Sequence, residues 1–252
     1  FNAGYPKRKI IENLNVPTIP RGKITVLLGP NGCGKSTLLR SLAGLNHAEG
    51  ELNLDGTDLM RLPFAKRAEH VVYLPQSLPQ GVHLHVLESI IVAQRASGGR
   101  HDAASQQEVM ALLKQLGIAH LALSYLDQLS GGQKQLVGLA QSLIRRPSLL
   151  LLDGPLSALD LNYQFHVMDL VARETKKRNI ITVVVVHDIN IALRHSEHVL
   201  MLRDGALVAS GAPEQVITPQ SLAQVYGVKG RIERCSQGVP QVLIDGLIAE
   251  VE

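Results

Sequence analysis

The residues with the clearest chemistry lie in GPNGCGKS, residues 29–36, followed by Thr37. They fit the pattern G-x-x-x-x-G-K-S. Gly29, Gly32 and Gly34 free the backbone, so that its N–H groups can curve around anionic oxygens, while Asn31 and Cys33 fill variable positions. Lys35 adds a point charge, and the Ser36 hydroxyl is a hard ligand suited to a small divalent cation. The arrangement asks for a phosphate chain. By itself it defines a nucleotide-binding class and nothing finer.

Other candidates are spread along the chain. In LSGGQ (129–133), Ser130 precedes Gly131, Gly132 and Gln133 at the start of a helix expected over about 132–145. Such a start offers a capping hydroxyl, free N–H groups and a positive dipole end, all of which suit an anion. Four leucines run into Asp153, a carboxylate that is costly to bury without a partner. Gly154 follows it. Gln76 ends YLPQ, Asp160 ends SALD, and His187 follows a run of four valines. Tyr5 lies 24 positions before Gly29.

These side chains need a scaffold. KITVLLG (23–29), HVVYLP (70–75), SLLLLD (148–153) and NIITVVVV (179–186) read as strands covered on both faces. Helices are expected over 34–45, 163–178 and 188–195, which implies an α/β fold with a mostly parallel sheet. Residues 86–146 carry helical spacing instead, with GGR (98–100) as a break, and read as a helical insertion. Asp204–Gly205 marks a hairpin within 198–211, and 1–20 and 50–56 read as short β segments.

Composition narrows the partners. The 252 residues carry 25 basic and 22 acidic side chains, too balanced for a nucleic-acid binder. Trp is absent and Tyr and Phe are few, so stacking platforms for single strands are missing. Cys33 and Cys235 fit no disulfide framework or zinc spacing, which points to a reducing compartment. The longest β-branched run, 180–186, is far too short to span a bilayer. His83 and His85 lack a third ligand at useful spacing and read as surface residues.

Taken in order, the phosphate loop, LSGGQ, LLLLD, SALD and the histidine after VVVV resemble the ATP-binding cassette ATPases, the motor subunits of ABC transporters. The resemblance covers nearly the whole chain. It implies a P-loop NTPase (RecA-like) core, an N-terminal antiparallel β subdomain and an inserted helical subdomain. It places the core in 1–82 and 147–252 and the helical part in 83–146, as one domain over 1–252. It implies ATP and Mg²⁺ as cofactors, with Ser36, Gln76 and Asp153 around the metal and His187 at the γ-phosphate. Tyr5 would stack on adenine. Ser130, Gly131, Gly132, Gln133 and Asp160 would face a second copy, so that a homodimer or an ATPase heterodimer sandwiches the nucleotide. Partners would be transmembrane permease subunits and, through them, a substrate-binding protein, with this chain peripheral on the cytoplasmic face of the membrane. The phrase GAPEQVITPQSLAQVYGV (211–228) is similar to importer ATPases for iron–siderophore complexes, haem and cobalamin.

One position departs from the family. It normally places Glu where Gly154 stands, to polarise the attacking water, a contribution of about 10²–10⁴ in rate. Three readings stay open. The chain is a slower motor whose water is positioned by His187 and Gln76, or a subunit that binds ATP as a conformational switch, or Gly154 is a local variant or an introduced change.

Overall fold

Uninterrupted apolar runs form the inner strands of one sheet, and the polar segments between them turn back over its faces. The computed structural model describes residues 1–79, 81–97 and 103–248, so the expected break at GGR lies outside the described residues.

The chain begins with an antiparallel hairpin, β1 (Asn2–Tyr5) and β2 (Arg8–Ile11), and then enters the fully buried strand β3 (Ile24–Leu28). A loop leads into α1 (Lys35–Leu42), and β4 (Ala48–Glu49) returns to pair with β1. A small hairpin, β5 (Asn53–Leu54) and β6 (Thr57–Asp58), precedes the single turn α2 (Phe64–Arg67). After β7 (Val71–Leu74) come three helices, α3 (Val86–Ala96), α4 (Ala103–Gln115) and α5 (Gly131–Ile144). The chain rejoins the sheet as β8 (Leu149–Asp153), α6 (Leu161–Arg178), β9 (Ile181–Val185), α7 (Ile189–His195) and β10 (His198–Arg203). It continues through β11 (Ala206–Gly211), α8 (Pro213–Val216) and α9 (Pro219–Tyr226), and ends in a hairpin, β12 (Val228–Arg234) and β13 (Pro240–Leu247).

Among the described residues the main sheet runs β11-β10-β3-β9-β8-β7, parallel throughout except for the edge strand β11. Alternation along the strands divides the core. Val26, Leu28, Leu150, Leu152 and Val184 face one layer with α5 and α6, and Leu27, Leu149, Leu151, Val183 and Val185 face the other with α1. The turn of the β10–β11 hairpin has positive φ at Asp204 (49°) and Gly205 (76°), the backbone that its Asp-Gly sequence favours. No helix among the described residues is long and apolar enough to cross a membrane.

The end of α1 is fixed by a side chain that the sequence pattern does not single out. Arg67 is buried, and its guanidinium donates to Ser41 O (2.8 Å) and Leu42 O (2.9 and 2.7 Å). A helix end leaves its last carbonyls without their usual partners, and Arg67 supplies donors there, with Ser41 O also accepting from Gly44 N (3.1 Å). The terminal β12–β13 hairpin is likewise unmarked in the sequence. Its residues are too charged to read as core strands, with Arg231 paired to Asp245 and Glu233. It docks through Asn190, which accepts from Val242 N (2.7 Å) and donates to Val242 O (3.2 Å), as a neighbouring strand would.

Candidate active site

Parallel strands bring their carboxyl ends to one edge of the sheet, where α/β folds place their ligands. The loop after β3, the end of β8 and the residue beyond β9 therefore meet. Asn31, Gly32, Gly34, Lys35, Ser36 and Thr37 line one cleft of about 360 Å³ together with Gln76, Asp153 and His187. Arg8 and Ile10 of β2 complete its wall, and no sequence motif marks either.

The glycines of the loop have distinct reasons. Gly34 caps α1 at φ +106°, a backbone that side chains avoid. At Gly29 a Cβ would fall 2.4 Å from Leu202 O, so no side chain fits. Cys33 points inward. It is 3% exposed, its carbonyl accepts from Gly205 N (2.9 Å), and burial pushes its thiol pKa up. It fits the role of a small filler residue.

Lys35 is 7% exposed, and its ammonium donates to the carbonyls of Gly29 and Pro30 (3.2 Å to the latter). Burial lowers its pKa, and the charge of Asp153 works against that. Asp153 is 4% exposed and accepts a hydrogen bond from the Tyr73 hydroxyl (2.9 Å). Burial, reinforced by the Asp153 charge, pushes Tyr73 up to about 12. Arg40 of α1 sits against both Tyr73 and Tyr5. Tyr5 is half exposed at the end of β1 and lies outside the residues lining the cleft. A second tyrosine, Tyr226 of α9, is raised to about 12 by burial and takes a hydrogen bond from the Gly29 backbone.

Tyr73 and Tyr226 are therefore neutral hydroxyls at any physiological pH. Because each folded pKa exceeds the unfolded value, the stability they add is complete below about pH 10 and fades as pH rises towards 12. A spectrophotometric titration at 295 nm checks this: Tyr73→Phe and Tyr226→Phe should each delete one late-ionising tyrosine.

Gly154 is buried with φ +62°. Gln76 packs against it, for a Cβ there would lie a tight 3.3 Å from Gln76 Cγ. The LSGGQ segment starts α5 with reciprocal hydrogen bonds, Gln133 N to Ser130 Oγ (3.2 Å) and Ser130 N to Gln133 Oε1 (3.0 Å). Gly131 and Gly132 abut Ala158 of SALD, and a Cβ on Gly132 would meet Ala158 O at 2.8 Å. Ser130, Gly131 and Asp160 are exposed, and the LSGGQ segment and Asp160 stand apart from the cleft of their own chain. His83 stacks on Tyr125 with ring centroids 3.9 Å apart, and His85 flanks the same ring at 4.2 Å.

The cleft offers a carboxylate, a hydroxyl and an amide, all hard oxygen donors. One or two such ligands completed by phosphate and water suit Mg²⁺. The fold and the site thus define a P-loop nucleotide hydrolase.

Comparison with known proteins gives the family. The pattern of the family described as ABC transporter matches residues 11–157. The chain is 36% identical over 237 residues to the iron(3+)-hydroxamate import ATP-binding protein of Bacillus subtilis, covering 92% of this chain and 87% of that one. It is 34% identical over 233 residues to the ferric enterobactin transport ATP-binding protein of Escherichia coli, covering 91% and 86%. Among solved structures it is similar to a dimeric ATP-binding cassette in a post-hydrolysis state with ADP and Pi, with TM-score 0.72, 26% identity, and 84% and 95% of the two chains covered. The chain belongs to the ABC transporter ATPase family.

Proposed function

We propose that this chain is the ATP-binding subunit of an importer for an iron–siderophore or similar metal chelate. The observation that carries the reading is the convergence of the phosphate loop, Gln76, Asp153 and His187 on one cleft. The cargo class rests on the iron-hydroxamate and enterobactin relatives.

In this reading the N–H groups of residues 31–37 surround the phosphates, Lys35 exchanges its carbonyl partners for the outer phosphates, and Tyr5 covers the base. Ser36, Gln76 and Asp153 hold Mg²⁺, which when bound neutralises phosphate charge. Tyr73 fixes the orientation of the Asp153 carboxylate. Gln76 and His187 orient the attacking water, since Gly154 brings no carboxylate. A second copy, or a related ATPase subunit, presents Ser130, Gly131, Gly132, Gln133 and Asp160 across the nucleotide. Residues 83–146 act as the helical unit and 1–82 with 147–252 as the core. The chain works on the cytoplasmic face of the membrane, docked on permease subunits that receive cargo from a binding protein.

One observation favours a second reading, ATP capture as a dimerisation switch: the position next to Asp153 has no side chain. Phosphate release by the chain assembled with its permease separates the two. Slow, Mg²⁺-dependent release that rises with loaded binding protein is expected. Dimerisation on ATP without any release would replace the motor with the switch.

A further inference from the structure

The side chain of Gln135, two residues beyond LSGGQ, joins four parts of the molecule. Its Nε2 donates to Ser157 Oγ (2.8 Å), to Gln76 O (3.3 Å) and to Gly154 O (3.4 Å). Its Oε1 accepts from Ala158 N (3.1 Å). Ser157 Oγ in turn donates to Gly154 O (3.1 Å). One carboxamide on α5 thus holds the loop after β7, the turn after β8 and the SALD loop. A carboxamide nitrogen has two N–H groups, so both are committed here.

The grip falls where the chain departs from its family. A Cβ built on Gly154 would press on the Gln76 side chain, with Cγ, Cδ and Nε2 at 3.3, 3.5 and 3.6 Å, so Gln76 packs directly against the glycine. The backbone of Gln76 is fixed by Gln135, and its side chain lines the cleft beside Asp153 and His187. We propose that Gln135 is a positioning residue: by holding the Gln76 backbone and the 154–158 turn it keeps the Gln76 side chain packed against Gly154, so that Gln76 is the polar group facing the hydrolytic water. The inference rests on the ATPase reading given above. Gln135 touches no nucleotide and acts only through Gln76 and the 154–158 turn.

The test uses Gln135→Leu, which keeps the volume and removes every hydrogen bond, and Gln135→Glu, which keeps an acceptor for Ala158 and loses the donors. Both are measured in the full chain assembled with its permease. A kcat about tenfold lower or more, with KM for ATP within about twofold, is expected of a group used only beyond substrate binding. Amide exchange over 75–79 and 154–158 should quicken by about tenfold in both variants, because these loops lose their shared anchor. Gly154→Ala should lower kcat by crowding the same Gln76 side chain, and its effect should not add to that of Gln135→Leu. Unchanged kcat and unchanged exchange at 75–79 would overturn the proposal. Equal losses in kcat and in nucleotide affinity with a lowered Tm would do so as well, since they mark general damage. A parent that releases no phosphate would refute the ATPase reading, and the exchange data alone would then decide whether Gln135 is the clamp.

Discussion

Gly154→Glu is expected to raise kcat for ATP by about 10²–10⁴, the usual contribution of a positioned general base. The same change should lower the unfolding free energy by about 1–2 kcal/mol, the cost of a side chain in left-handed backbone. The two effects oppose each other only in appearance. Strain at φ +62° reduces how much protein is folded, whereas the carboxylate acts within the folded protein. The catalytic gain, about 3–5 kcal/mol of barrier, also exceeds the strain. The new side chain must push against Gln76, which packs on the glycine. Gly154→Ala is the control, because it brings the strain and the crowding without a base. Single-turnover phosphate release and urea denaturation on both variants check the pair of claims. A glutamate variant no faster than the parent would show that Gln76 and His187 already supply what the carboxylate would.

Lys35→Ala should weaken ATP binding by roughly 30- to 5,000-fold, which corresponds to the 2–5 kcal/mol typical of truncating one partner of a buried charged pair. Lys35 is 7% exposed and lines the cleft, so its charge meets any phosphate there with little water between. Its removal would also leave the Gly29 and Pro30 carbonyls without their donor. Equilibrium binding of a fluorescent ATP analogue measures the effect. Affinity within threefold of the parent would mean that phosphates bind elsewhere.

The elements that carry uninterrupted apolar residues are legible from the chain alone. Strands β3, β7, β8 and β9 lie where their valines and leucines place them, because a parallel sheet covered on both faces favours such runs. The phosphate loop is legible because its glycines answer to backbone geometry. The contacts that tune the site are not. Tyr73 precedes Gln76 by three residues, yet its bond to Asp153 joins positions 80 apart. Gln135 is one polar residue on an amphipathic helix, and nothing in its spacing distinguishes it from a solvated one. Gly154 reads as a missing group, but the neighbour that packs against it emerges only when loops from two strands meet. The β12–β13 hairpin escapes because charged residues cover its surface.

Lys35 is held by the loop's own carbonyls. Such a loop is already organised before its ligand arrives, since the ammonium is desolvated and both carbonyls have their donor. Binding then exchanges neutral oxygens for anionic ones around a fixed cation, and little ordering entropy opposes it. If the cleft holds nucleotide as proposed, Lys35 would favour charge: a neutral nucleoside has nothing with which to outcompete the carbonyls, whereas phosphate oxygens do.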